Sequence, residues 1–247
     1  MEKIHELTQL HDFDLMVIPE LANSGYVFSN HDEVSRYSET IPDGAYCSFL
    51  KKLAKQKDGY IVSGICEREG ERYYNSSVLI HPDGKVKIYR KLHLFFEEKL
   101  WFAPGNLTLD VHEISGKWGR TKIGMMICFD WQFPEVTRTL ALKGAQIICH
   151  PSNLVMPYCQ DAMVTRALEN HVFTITANRI GSDIRPEKTM SFTGKSVIVD
   201  PKGNVVYKAN GESEECVIVE IDSEHALDKS VSSYNDAFKD RREEFYK

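Results

Sequence analysis

Short, β-branched apolar runs alternate along the chain with amphipathic segments of helical period. Residues 14–19 (DLMVIP) and 59–65 have the composition of buried strands. Residues 43–57 and 161–170 place apolar side chains on one helical face, and Asp43 is the expected N-cap of the first of these helices. Helices that separate strands in this way predict an α/β fold in which helices cover the outer faces of sheets.

Hairpin signals interrupt this alternation. The turn 81–84 (HPDG) lies between predicted strands 75–80 and 86–90, and its Pro and Gly supply the dihedrals that a turn needs. Turns at 116–119 and 201–204 predict two more hairpins. Hairpins among helices favour two mixed sheets packed face to face with helices outside. The remaining predicted strands are 107–114, 120–128, 145–150, 172–177, 192–200, 205–207 and 216–221.

Two further helices complete the pattern. One begins near Pro134 and ends before Gly144, which are the usual places for these residues at the two ends of a helix. The last covers residues 238–246. No repeat or Gly/Pro/Ser linker divides the chain, so its 247 residues are expected to form a single domain.

Composition excludes several functional classes. The net charge of −6 and the lack of a basic stripe argue against nucleic acid as a partner. No apolar run approaches the roughly 20 residues of a membrane span, and the acidic N-terminus is not a secretory signal. The six cysteines form no CxxC pair, which predicts free thiols in a reducing cytoplasm and no metal site.

Three chemically useful residues follow predicted strands. Cys128 comes directly after an apolar run and before a helix, a position in which a nucleophile can face a substrate. Glu20 follows the first strand and Lys91 follows the strand 86–90. A thiol needs a nearby base or cation, which a carboxylate and an ammonium can provide. Each residue alone has a more ordinary interpretation as a packed thiol, a capping carboxylate or a solvated cation.

The segments around these residues together resemble the signature blocks of the nitrilase (carbon–nitrogen hydrolase) superfamily. They are 17–26 (VIPELANSGY), 89–94 (YRKLHL) and 124–135 (GMMICFDWQFPE), in the family's order. The spacings of 71 and 37 residues between Glu20, Lys91 and Cys128 make the combination specific. Further similarity is found at Glu98 and the following FAPG, at RALEN (166–170), at Asn178-Arg179 with Gly181, and at Phe192, Gly194 and Ser196.

The resemblance implies a four-layer α-β-β-α sandwich, usually dimeric or of higher order, with residues 230–247 as an arm that reaches the partner. It also implies that Cys128 is the nucleophile, Glu20 the base and Lys91 the cation. Glu98 is expected beside the lysine, and the backbone N–H of Phe129 is expected in the oxyanion site. The substrate is a small molecule and no cofactor is required.

Substrate choice rests on weaker signals. Residues 129–135 are similar to those of amidases and carbamoyl amidases, so small amides or carbamoyl amines are favoured, with small aliphatic nitriles as the alternative. The candidate pocket residues are Trp131, Asn153, Tyr158 and Arg179, the last of which would suit an acidic ligand.

Other interpretations stay open. Cys128 could pair instead with His93 or His150, or the chain could be a catalytically silent dimeric scaffold. The other thiols Cys149, Cys159 and Cys216 are expected to be packing residues. Family members usually begin with a strand and a loop before the first helix, whereas Met1 falls within that helix. Roughly 15–25 residues of the family pattern are therefore expected to be missing, which would leave a sheet edge unpaired.

Overall fold

A computed structural model describes residues 1–185 and 188–246. The helices are α1 (Glu2–Thr8), α2 (His31–Tyr37), α3 (Ala45–Lys57), α4 (Glu98–Trp101), α5 (Pro134–Leu142) and α6 (Cys159–Asn170). The strands are β1 (Leu15–Ile18), β2 (Tyr60–Glu69), β3 (Arg72–Ile80), β4 (Val86–Arg90), β5 (Val111–Gly116), β6 (Gly119–Met125), β7 (Ile147–Ser152), β8 (Phe173–Asn178), β9 (Ser182–Arg185), β10 (Lys188–Ser191), β11 (Val197–Val199), β12 (Val205–Lys208), β13 (Ser230–Ser232) and β14 (Asn235–Asp236).

The first sheet has the order β1-β2-β3-β4, in which β1 runs parallel to β2 and the other pairs are antiparallel. The HPDG turn joins β3 to β4 as predicted, and Gly84 adopts a φ of 85° that its lack of a Cβ allows. The second sheet has the order β12-β11-β8-β7-β6-β5, with parallel pairs at its centre and antiparallel pairs at both sides. Both sheets are therefore mixed.

Side-chain alternation along the strands builds the layers. In β2, Val62 points to the core shared with the second sheet, whereas its neighbour Ile61 packs with Leu50 of α3 on the other face. Helices α5 and α6 cover the outer face of the second sheet, where Leu140 and Ala167 are buried. This order of helix, sheet, sheet and helix confirms the predicted four-layer α-β-β-α arrangement.

Several local predictions were wrong. Asp43 does not cap α3: Gly44 is the N-cap residue, and the Glu39 carboxylate accepts the backbone N–H groups of Tyr46 and Cys47 instead. Residues 216–221 are not a strand, and of residues 238–246 only Glu243–Phe245 form a short 3-10 helix. The hairpin of β9 and β10 was not predicted.

Strand β1 lies at the edge of the first sheet, with β2 as its sheet neighbour among the described residues. A groove opens there between the two sheets, and it is lined by β1, by Ile147 and Ile175 and by the extended residues 216–221. In the described ranges, no helix is long and apolar enough to span a bilayer.

Candidate active site

Glu20 is placed by a close approach between two backbones. The peptide N–H of Gly64 in β2 donates to the Pro19 carbonyl at 3.1 Å, and the Gly64 carbonyl accepts from Ala22 at 3.2 Å. A Cβ on Gly64 would lie 2.3 Å from the Glu20 Cα, so a side chain at this position would push the chain away. The glycine in the middle of β2 therefore sets where the Glu20 carboxylate enters the interior.

Lys91 follows β4 and extends its ammonium between two carboxylates. The Nζ atom donates to Glu20 Oε1 and to Glu98 Oε1, both at 2.7 Å. The Asn75 side chain of β3 donates to Glu20 Oε1 at 2.6 Å and reaches Glu98 Oε2 at 3.5 Å. The Tyr26 hydroxyl completes the cluster with a hydrogen bond of 2.5 Å to Glu98 Oε1. All five side chains are buried, so each charge depends on its neighbours rather than on water.

Electrostatics within the cluster keep the lysine charged. Burial works against the ammonium, but Glu20 and Glu98 outweigh it and raise the pKa of Lys91 above its ordinary value. For Glu98, burial is the largest influence and raises the pKa, while Lys91 opposes that shift. Among the described residues, Glu20 Oε2 is buried without a hydrogen-bond partner. One carboxylate oxygen is thus held by Lys91 and Asn75, and the other is free to take a proton.

Cys128 stands at a sharp turn between β6 and the 3-10 helix Cys128–Gln132. Its φ is 41°, a left-handed conformation that costs energy in a residue with a Cβ. The fully buried Asp130 carboxylate holds this turn, because it accepts the Ile127 N–H at 2.9 Å and the Tyr89 hydroxyl at 2.7 Å. Its other oxygen accepts the His93 N–H at 3.2 Å and lies 2.8 Å from His93 Nδ1. Asp130 thereby connects the Cys128 turn to the segment that follows Lys91.

Several neighbouring groups act on the pKa of the Cys128 thiol. Burial raises its pKa well above the ordinary value, Glu20 raises it further, and Lys91 and the backbone N–H of Asn153 lower it. Asn153 is buried at the same place, where its side-chain amide donates to the Glu20 carbonyl at 2.9 Å. The predicted residues Glu20, Lys91, Glu98, Cys128 and Asn153 are therefore brought together.

The two candidate histidines engage other groups. His150 Nε2 lies 2.9 Å from the Cys128 carbonyl oxygen and Nδ1 lies 3.0 Å from Thr176 Oγ1, so both ring nitrogens are occupied. Burial lowers the pKa of His150 to about 4. His93 stacks on Phe133 with ring centroids 3.6 Å apart and pairs with Asp130. In the described ranges neither ring bonds to the thiol, and this geometry does not support a Cys-His pair.

The remaining predicted residues have mixed positions. Phe129 follows Cys128 directly, and its ring contacts those of Phe95 and Phe133. Trp131 is half-buried against the core, and its carbonyl accepts from the side chain of Arg166. Tyr158 is 59% exposed at the beginning of α6, and its predicted pocket role stays a prediction.

Arg179 was predicted to suit an acidic ligand, but its guanidinium is already paired. It makes two hydrogen bonds to Asp183, of 2.9 and 2.5 Å, and lies over the ring of Phe192. The thiols Cys149 and Cys159 are buried as predicted for packing residues, whereas Cys216 is half-buried.

Asn75, Asp130 and Asp183 belong to the site, but the sequence did not predict them as site residues. Asn75 carried a signal, because a polar residue within a strand that is buried on both faces needs a partner. Asp183 lies in the hairpin that was not predicted, and no feature of its sequence indicates a role in the site. In the part of the chain that the structure describes, no group of three His, Cys, Asp or Glu side chains is arranged to hold a metal ion.

Comparison with known proteins identifies the family of this chain. A sequence model of the family described as carbon-nitrogen hydrolase matches residues 1–227. The chain belongs to the carbon–nitrogen hydrolase family. A curated nitrilase of Pyrococcus abyssi is 45% identical over 245 residues, which cover 99% of this chain and 90% of the relative. An (R)-stereoselective amidase of Pseudomonas sp. is 34% identical over 94% of this chain and 80% of its own length.

Solved structures show the same fold. A carbon–nitrogen hydrolase from Helicobacter pylori superposes with a TM-score of 0.77 at 24% identity, over 99% of this chain and 88% of that one. A variant of the amidase from Nesterenkonia sp. superposes with a TM-score of 0.74 at 25% identity, over 94% of this chain and 85% of its own. In that variant, acrylamide has added to the active-site cysteine.

Proposed function

We propose that this chain hydrolyses small amides or carbamoyl amines, releasing ammonia through a thioester on Cys128. The observation that carries the proposal is the convergence of a buried thiol, a carboxylate with one free oxygen and a buried ammonium. These three groups can supply a nucleophile, a base and an electrostatic partner for an oxyanion within one enclosed site.

The first step forms the carbon–sulfur bond. Glu20 Oε2 takes the Cys128 proton, which is necessary because the thiol pKa lies well above its ordinary value. The sulfur attacks the carbonyl carbon, and the electron pair of the C=O bond moves to oxygen. The Lys91 ammonium and the Phe129 backbone N–H hold this oxyanion, and loss of one such donor typically costs about 3–4 kcal/mol of transition-state stabilisation.

The next steps release both products. The oxyanion collapses, the carbon–nitrogen bond breaks, and Glu20 returns its proton to the departing nitrogen so that ammonia leaves. Water then attacks the thioester as Glu20 accepts one of its protons. The carbon–sulfur bond breaks, the acid departs, and the proton returns to the thiolate. In this scheme Glu98 keeps the Lys91 ammonium in place through their hydrogen bond of 2.7 Å.

Small aliphatic nitriles are the second candidate substrate. The observation that favours them is the 45% identity to the relative named a nitrilase. The same residues would act on a nitrile, because attack of the thiolate on the nitrile carbon gives a thioimidate, whose hydrolysis releases ammonia and leaves the thioester. The two candidates therefore differ in the shape of the acyl site rather than in the reacting groups.

The test is ammonia release from butyramide, an N-carbamoyl amine and butyronitrile. Cys149→Ala is the matched control for Cys128→Ala, because Cys149 is buried in the adjacent strand β7 outside the cluster. We expect release by the wild type and by Cys149→Ala, and none by Cys128→Ala. The best substrate chooses between amidase and nitrilase. A folded wild type that releases no ammonia, and whose Cys128 resists iodoacetamide, would support the silent scaffold instead.

We also infer a homodimer or higher homo-oligomer. Apolar side chains are exposed on the outer helices α5 and α6, where Leu142 is 41% and Leu168 is 50% exposed. Partly exposed leucines on the outer helices are side chains that a second copy of the chain would cover. Light scattering is expected to give at least twice the chain mass, and a monomer at micromolar concentration would contradict the inference.

A further inference from the structure

The hairpin of β9 and β10 lies outside both main sheets, yet it is bonded to the loop that begins at Glu20. One oxygen of the Asp183 carboxylate, Oδ2, accepts the backbone N–H of Tyr26 at 2.9 Å and that of Val27 at 3.2 Å. The Asp183 side chain is only 12% exposed. A nearly buried carboxylate therefore fixes the loop at Tyr26, six residues after Glu20.

Arg179 keeps that carboxylate charged and in place. Its guanidinium makes bonds of 2.9 and 2.5 Å to the two oxygens of Asp183. Burial favours the neutral acid, but Arg179 and the two peptide N–H groups overcome it and lower the pKa of Asp183. The guanidinium also lies 4.5 Å from the ring centroid of Phe192, and that ring meets the Tyr26 ring edge-on at 6.0 Å. Both the backbone and the ring of Tyr26 are thus supported from the same side.

The hydroxyl of Tyr26 leads directly into the catalytic cluster. It donates to Glu98 Oε1 at 2.5 Å, and the same oxygen accepts from Lys91. A hydrogen bond donated to a carboxylate favours its ionised form. Tyr26 therefore opposes the effect of burial on Glu98 and keeps a negative charge beside the Lys91 ammonium.

We propose that the Arg179–Asp183 ion pair is a positioning element of the reaction, which acts on Glu98 and Lys91 through Tyr26. This rests on the proposed function for its effect on turnover. The Arg179 guanidinium then pairs with Asp183 rather than with an acidic group of the substrate. The ion pair holds the Tyr26 backbone, and the Tyr26 hydroxyl donates to the Glu98 carboxylate beside Lys91.

The experiment compares Asp183→Asn, Tyr26→Phe and the double variant. We expect each single variant to lower kcat on the best substrate about tenfold, with KM changed less than about twofold. The double variant is expected to be no slower than Tyr26→Phe, since Asp183 acts through the Tyr26 hydroxyl that Tyr26→Phe has already removed. Arg185→Gln is the matched control: Arg185 of the same hairpin bonds the Val27 carbonyl and Glu33 but not Tyr26, so kcat should stay within about twofold.

A second readout does not depend on turnover. The pH dependence of Cys128 alkylation by iodoacetamide reports the charges around the thiol, and it should shift in the same direction in Asp183→Asn and Tyr26→Phe but not in Arg185→Gln. If Asp183→Asn does not fold, Arg179→Gln leaves the carboxylate present and should show the same shift. Multiplicative losses in the double variant, or equal effects of Arg185→Gln, would overturn the proposal. A wild type that alkylates normally but releases no ammonia would refute the proposed function alone.

Discussion

Replacement of Asp130 by Asn tests whether the buried carboxylate stabilises the turn at Cys128. The carboxylate is fully buried and receives four contacts, two at each oxygen. An amide has one oxygen and one NH₂ group, so one of these pairs of donors must face another donor. The Tyr89 hydroxyl can rotate and the His93 ring can change tautomer. The peptide N–H groups of Ile127 and His93 are fixed donors, so one of them loses its acceptor.

The magnitude follows from that single group. A buried donor left without a partner costs about 1–3 kcal/mol. For a chain of this size, each kcal/mol corresponds to about 2–4 °C in Tm. We therefore expect Asp130→Asn to lower the free energy of unfolding by about 1–3 kcal/mol and Tm by roughly 2–12 °C. The activity should fall as well, because the carboxylate that is replaced holds the strained turn at Cys128.

Urea and thermal unfolding followed by circular dichroism measure this change. Asp110→Asn is the control, because the Asp110 carboxylate is exposed and pairs with the exposed Lys143 at 3.1 Å. Such surface pairs contribute less than about 1 kcal/mol. If the free energy of unfolding of Asp130→Asn lies within about 0.5 kcal/mol of that of the wild type, the buried carboxylate does not hold the turn.

Three further predictions follow from single contacts. Gly64→Ala should cost more than about 1 kcal/mol and abolish most activity, since its Cβ would meet backbone atoms of Glu20; unchanged Tm would contradict this. The pKa of His150 is about 4 against about 6.5 in the unfolded chain, so the unfolded state binds more protons in that window. Stability should therefore be full above pH 6.5 and fall by about 3 kcal/mol as the pH drops through 4. A His150→Gln variant with the same pH dependence of urea unfolding would exclude this cause. Glu20→Gln should lower kcat/KM by at least about 100-fold and His93→Gln by less than tenfold; the reverse order would indicate a histidine base.

Much of the fold could be predicted because its signals are local. The HPDG turn fixes one hairpin, and Pro134 and Gly144 mark the two ends of α5 by their own backbone preferences. The wrong predictions concern segments whose structure depends on contacts with residues elsewhere in the chain. Residues 216–221 have an apolar strand-like sequence, but a strand also needs a neighbour for its peptide groups, and composition does not reveal one. Asp43 was a plausible cap, but Glu39 reaches the same N–H groups across a turn.

Some residues of the site could likewise be predicted from the sequence, and others could not. Glu20, Lys91 and Cys128 could be named because three motifs occur in order, each after a strand. Asp183 could not, because its contact with Tyr26 joins residues 157 positions apart and depends on how the β9–β10 hairpin folds over the loop. Tyr158 was named as a candidate pocket residue, and it is exposed at the beginning of α6, a property that the sequence motifs do not determine.

Partitioning of the acyl group between water and hydroxylamine shows whether a thioester forms on Cys128. Butyramide and N-methylbutyramide share an acyl group but have different leaving groups. If both pass through the same thioester, the ratio of hydroxamate to acid must be identical for the two substrates, and Cys128→Ala must form neither product. A ratio that changes with the leaving group, or product formation by Cys128→Ala, would mean that water or hydroxylamine attacks the substrate itself and that no thioester forms on Cys128.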